Sequence, residues 1–202
     1  MDKKKRIVKC VIDEQGRLGI TAMGLVSTPA IEENWIALSK LKMSEVKEER
    51  RMLYGPALIP DKHILRVDKN TQEEYYIVFE KQTIYNAAHR FLKNNLHHNH
   101  TFEHQFPITG ATVVETWIVE SEQDKSRHLG FDLPAGTWMV GVYIEDDELW
   151  GEVKNGTIKG FSIEGMFNEV GLSLSLGDQL NQKNIYGEMF NEVEKYLHSL
   201  CL

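Results

Sequence analysis

Apolar residues in this chain come in short runs closed by turn-forming residues, and that pattern argues against an all-helical fold. Residues 18–26, 52–59, 64–67, 111–119 and 137–144 read as strands, with Pro29 breaking the chain before a further candidate at 34–38. Residues 6–12 form another run, ended by Asp13 ahead of the turn-like Glu14-Gln15-Gly16. Glu74-Tyr75-Tyr76-Ile77-Val78-Phe79 combines aromatic and β-branched side chains, which fit a pleated, half-buried surface. Helical spacing shows in two places. Ile84, Ala87, Ala88, Phe91 and Leu92 share one face of a helix that Thr83 can cap and Asn94-Asn95 ends. Ile185, Met189, Phe190, Val193, Tyr196, Leu197 and Leu200 share one face of another. A shorter helix is expected over 146–153, where early acids suit a helix N-terminus, before the Asn155-Gly156 turn. Residues 123–129 read as a polar loop.

These elements predict a strand-rich α+β domain over residues 1–170 with helices at its periphery. Residues 172–182, rich in Ser, Gly and Asn, read as a linker to the C-terminal amphipathic helix, so 171–202 stands apart as a tail. With 202 residues, 42% hydrophobic and 26% charged, the chain can bury a real core. Its formal charge of −7 disfavours a nucleic-acid partner, since a phosphate backbone rewards Lys and Arg. No run of about 18 apolar residues suggests a membrane span. The two cysteines, Cys10 and Cys201, are too few for a disulfide framework, so free thiols in a cytoplasmic setting are expected.

Two groups of residues could carry chemistry. Ser162 sits in Gly160-Phe161-Ser162-Ile163-Glu164-Gly165, where flanking glycines would let a substrate backbone approach. This is not the Gly-x-Ser-x-Gly nucleophile elbow. His97, His98, His100 and His104 crowd one segment, and in an extended chain His98, His100 and His104 share a face, with Glu103 on the other. Such a face suits a catalytic base, a metal site or a solvated loop.

Four stretches, taken in order, resemble the XkdF-like serine proteases of tailed phages. These are relatives of the prohead proteases that share the herpesvirus assemblin fold. The stretches are Gly24-Leu25-Val26-Ser27-Thr28-Pro29-Ala30, then Tyr75-Tyr76-Ile77-Val78-Phe79. Next come Thr101-Phe102-Glu103-His104 with Val113-Val114-Glu115-Thr116-Trp117-Ile118-Val119. Last come Leu133-Pro134-Ala135-Gly136-Thr137-Trp138 and Lys159-Gly160-Phe161-Ser162-Ile163-Glu164-Gly165.

The resemblance implies a herpesvirus-protease-like β-barrel core, Ser162 as nucleophile and His104 as its general base, with His100 the rival base. Glu115, an acid inside an apolar strand, is the first choice to orient the base, and Glu164 the second. No cofactor or metal is implied. The expected substrates are segments of scaffold and major capsid protein, and of the protease itself around 172–182. The setting would be an assembling procapsid in the host cytoplasm, and a homo-oligomer is expected. A catalytically inactive, scaffold-associated capsid assembly protein is the competing expectation, and a histidine-centred metal domain the third. The Pro-Ala step lies near the N-terminus, whereas many prohead proteases carry a similar one after the serine, which implies a permuted connection.

Overall fold

The computed structural model describes residues 5–13, 18–31, 36–38, 50–68 and 70–171. The chain divides into two units, Met1–Glu169 and Val170–Leu202. The expected linker and C-terminal helix lie outside the described residues.

Among the described residues, twelve strands and three α-helices follow the order the apolar runs suggest. The strands are β1 (Arg6–Val11), β2 (Gly19–Val26), β3 (Ile36–Leu38), β4 (Met52–Leu58), β5 (Ile64–Val67) and β6 (Glu74–Phe79), after which comes helix α1 (Lys81–Lys93). Then come β7 (His100–Phe102), β8 (Phe106–Ile108), β9 (Ala111–Ile118), α2 (Lys125–His128), β10 (Trp138–Ile144), α3 (Asp147–Asn155), β11 (Gly160–Met166) and β12 (Asn168–Gly171). Among the described residues they form three four-stranded sheets, ordered β12-β1-β6-β5, β3-β4-β10-β9 and β11-β2-β7-β8. These are open sheets. The α+β, strand-rich expectation holds in this form, as three sheets rather than one closed barrel.

Local chemistry explains most boundaries. Asp146 caps α3 by accepting from Leu149 N at 2.7 Å, and Gly156 closes it with φ 73°. Helix α1 starts earlier than expected: Glu80 is its N-cap and makes no side-chain cap bond. Thr83 therefore lies inside the first turn, buried on the apolar face with Ile84, Ala87, Ala88 and Phe91. Residues 123–129 contain α2, whose cap is Asp124, accepting from Ser126 N at 2.8 Å. A polar composition concealed that turn of helix, because Asp-x-Ser serves a cap as readily as a loop.

The core gathers all three sheets. Phe91 of α1 meets Trp138 of β10 edge-on, with ring centroids 5.6 Å apart, and neither ring is exposed. Burying one such aromatic contributes roughly 1.5–3 kcal/mol. At its C-terminal end α1 is tied to the β1–β2 connection. Arg90 Nη2 donates to Asp13 O at 2.7 Å, and its Nη1 bonds Asp13 Oδ1 at 3.3 Å. That clamp helps set the start of β2, the strand on which the candidate site is built.

Candidate active site

Strand β2 runs between β11, its antiparallel neighbour, and β7, its parallel one. The registers Ser162↔Gly24 and Gly24↔Thr101 put Ser162, Gly24 and Thr101 in one row across three strands. Partners in register project to the same face, and residues two apart on a strand share it. Ser162, Glu164 and Thr101 therefore face one side. The neighbouring row, Phe161, Leu25 and Phe102, faces the other, where Phe161 and Leu25 are wholly buried in the core.

His104 reaches the first face by an unusual turn. It follows β7 at the tip of the β7–β8 hairpin, where Gln105 N donates to Phe102 O at 2.9 Å. Glu103 and His104 both have positive φ, 49° and 57°. Two consecutive left-handed residues make a type I′ turn, a geometry that ordinarily recruits Asn-Gly. The turn is pinned on both sides. Glu103 N donates to Leu25 O at 3.1 Å, and Ser27 N donates to Glu103 Oε1 at 2.6 Å. His104 is thereby folded back over β2, and its ring lies on Gly24. A Cβ at residue 24 would sit 2.8 Å from His104 Cε1, 3.0 Å from Nδ1 and 3.4 Å from Nε2. Glycine is required there by close approach.

The carboxylate on the ring is Glu164. His104 Nδ1 lies 2.8 Å from Glu164 Oε1, and because a carboxylate only accepts, Nδ1–H donates. Thr101 Oγ1 donates to the same oxygen. The His104 and Glu164 side chains are 39% and 30% exposed, so the pair is open to solvent, while Ser162 is 8% exposed at the foot of the face. Among the described residues no hydrogen bond joins the Ser162 hydroxyl to the His104 ring. The two are nonetheless next-door neighbours. Cβ positions in register lie about 4.5–5.5 Å apart, and the ring occupies the position at Gly24.

Other expected residues fall elsewhere. Glu115, the first choice to orient the base, lies on β9 in a different sheet. It accepts from Tyr54 Oη at 2.6 Å and pairs with Lys125 rather than with a histidine. Desolvation raises its pKa, but the Lys125 and Tyr54 hydrogen bonds outweigh that and hold the carboxyl below its usual range. Burial, then the hydrogen bond to Glu115, pushes Tyr54 up to about 12. This is a structural polar cluster, with the Lys125 ammonium 4.6 Å from the Tyr54 ring centre.

His100 shares register with Met23 on the core face, 2% exposed, and donates from Nε2 to His97 O at 3.2 Å. Burial pushes its imidazole down to about 4, so it stays neutral and faces away from Ser162. His98 lies in a 3₁₀ turn, Leu96–His98, bonded to Thr112 Oγ1 at 3.0 Å. The shared face expected for His98, His100 and His104 does not form, because the 3₁₀ turn and the left-handed pair interrupt strand alternation. Among the described residues no group of three or more His, Cys, Asp or Glu side chains is placed to hold a metal ion.

Gly165 also has a different role from the one its sequence position suggested. It follows a bulge between Glu164 and Gly165, where a Cβ would lie 2.8 Å from Ile20 Cα. Its smallness accommodates β2, not an incoming substrate. Gly24 and Thr101 lie within the motifs, yet residue type alone suggests no part for them. A lone glycine inside the apolar run Met23-Gly24-Leu25-Val26 was the available signal, since such a residue marks close approach.

The left-handed turn has a measurable consequence. His104→Gly is expected to be more stable than His104→Ala by about 1 kcal/mol, because alanine keeps the Cβ that disfavours this backbone region. Both variants lose the ring, so their difference in urea denaturation isolates the backbone. Equal stabilities would contradict the turn geometry at residue 104.

A hydroxyl, an imidazole and a carboxylate gathered on one face of a sheet are the side-chain set from which serine hydrolases are built. The family model described as putative phage serine protease XkdF matches residues 40–170. The chain belongs to this phage serine protease family. The match takes in His104, Ser162 and Glu164, while Gly24 and the Pro-Ala step lie before it. No curated protein and no solved structure matches the chain.

Proposed function

We propose that this protein is a serine endopeptidase of phage head maturation, with Ser162 as nucleophile, His104 as general base and Glu164 as the acid that orients it. The observation carrying this reading is the placement of His104 over Gly24, beside Ser162 and hydrogen-bonded through Nδ1 to Glu164. With Nδ1–H committed to the carboxylate, Nε2 keeps its lone pair to take a proton. The mechanism requires Oγ and Nε2 to come into hydrogen-bond reach, and such contacts commonly tighten only when substrate binds.

The chemistry then follows. Ser162 Oγ attacks a peptide carbonyl as its proton passes to His104 Nε2. The tetrahedral oxyanion collapses as the imidazolium protonates the leaving amine. Water, deprotonated by the same ring, hydrolyses the acyl-enzyme and regenerates Ser162. Glu164 stabilises the imidazolium throughout without taking its proton. In this reading the three sheets form a core related to the herpesvirus assemblin fold. The substrates are scaffold and major capsid protein segments, and the chain's own residues around 172–182, inside an assembling procapsid.

A fluorophosphonate probe tests the assignment. The wild-type protein is expected to form one covalent adduct, mapped by peptide mass analysis to Ser162 and absent from Ser162→Ala. An adduct at another serine would overturn the assigned nucleophile. A non-catalytic capsid assembly protein is the second reading, supported by the lack of a Ser162–His104 hydrogen bond among the described residues. It predicts no adduct, together with binding of scaffold that leaves the scaffold intact.

A further inference from the structure

We propose that Thr101 is a positioning residue whose hydroxyl holds the Glu164 carboxylate in the orientation that receives the His104 N–H; this rests on the catalytic reading above. Glu164 belongs to β11 and is in register with Ala22 of β2, not with any residue of β7. To meet His104 its side chain must pass over β2 toward the β7 side. Ala22 and Gly24 leave that path open, one with a methyl group and the other with no side chain. A glutamate is long and has several rotatable bonds, so an open path alone does not aim its carboxylate. Thr101 supplies the aim. It is in register with Gly24, on the far side of β2 from Ser162, and its Oγ1 donates to the same Oε1 that His104 Nδ1 meets at 2.8 Å.

The residue type suits the task. Threonine is β-branched and stiff about χ1, so a strand fixes its hydroxyl in place. A hydroxyl is neutral, so it orients the carboxylate without cancelling the charge that stabilises an imidazolium. Lysine or arginine at this position would pair with Glu164 and compete with His104 for it. The three groups meet from three directions: Glu164 from β11, Thr101 from β7, and His104 from the turn beyond β7. The serine stands in the same row, across Gly24.

The test uses Thr101→Val, which keeps the β-branched shape and removes the hydroxyl, and Thr101→Ser, which keeps the hydroxyl. Saturation kinetics with the fluorophosphonate probe separate its binding constant from the inactivation rate constant. Thr101→Val is expected to lower the rate constant about tenfold, the scale expected of a slightly misaligned catalytic group, with the binding constant within about twofold. Thr101→Ser is expected to restore the rate to within about threefold of wild type. In a Glu164→Gln background, Thr101→Val should add little, because the two residues act as one unit.

Wild-type rates in Thr101→Val, or an undiminished effect in the Glu164→Gln background, would overturn the positioning role while leaving the nucleophile assignment intact. Failure of Ser162 to label in the wild-type protein would instead overturn the catalytic reading, and this inference with it.

Discussion

Ser162→Ala and His104→Ala are each expected to lower cleavage of a scaffold-protein substrate by on the order of 10⁴-fold or more, and the double variant by no more than either alone. Residues that work as one nucleophilic unit fail together, because a serine without its base and a base without its serine leave the same residual catalysis. That residue comes from backbone oxyanion stabilisation and substrate positioning. The two acids separate the alternatives for the third member. Glu164→Gln should lower the rate by roughly 10²–10⁴-fold, because it removes the charge beside His104 Nδ1 and lets an amide compete in the wrong sense. Glu115→Gln should leave the rate within about threefold, since that carboxylate is engaged by Tyr54 and Lys125. The measurement is the rate of fragment appearance under single-turnover conditions. A strong effect at Glu115 with none at Glu164 would reverse the assignment of the acid.

Gly24→Ala is the second large effect, at a residue with no functional group of its own. A methyl group there would stand 2.8 Å from His104 Cε1, well inside van der Waals contact, so the ring must move. Its backbone cannot follow easily, since Glu103 N and Glu103 Oε1 hold the turn to Leu25 and Ser27. The side chain must therefore rotate outward, away from Ser162 and from Glu164. Displacing a catalytic group by about 1 Å costs on the order of 10²-fold in rate, and that is the loss expected in cleavage. Thermal stability should change little, because alanine suits a strand better than glycine and the ring has solvent to turn into. Full activity in Gly24→Ala would show that the imidazole works from some other position. Gly24 precedes the stretch that matches the phage protease family, so the expected loss of rate would also show that β2 belongs to the working site.

Much of the secondary structure was legible in the residues alone. The bounds of β6, Glu74–Phe79, coincide with the aromatic and β-branched run, and β4, β9 and β10 depart by a residue or so at one end. Alternation of buried and exposed side chains, and the Pro, Gly and Asp that close each run, are local properties. The helix starts were less legible. Thr83 has the chemistry of a cap, yet α1 begins almost a full turn earlier and buries Thr83 on its apolar face, so packing outweighed the cap preference.

Residue types made Ser162 and His104 candidates only, and it was by the resemblance to the phage proteases that they could be singled out. The acid could not, because Glu115 and Glu164 are both strand carboxylates beside apolar neighbours. Which of them meets the imidazole depends on strand order: β7 and β11 flank the same strand β2, while β9 lies in another sheet. That pairing joins residues more than sixty positions apart, and its register is set by core packing on the opposite face. Nor could spacing choose between His100 and His104. Parity holds only while the chain stays extended, and two left-handed residues at 103 and 104 reverse the direction of the second imidazole. Short-range patterning thus determined the elements, and the resemblance carried by the motifs nominated the serine and histidine. Only the long-range register of three strands, with a glycine at the crossing, decided which groups touch.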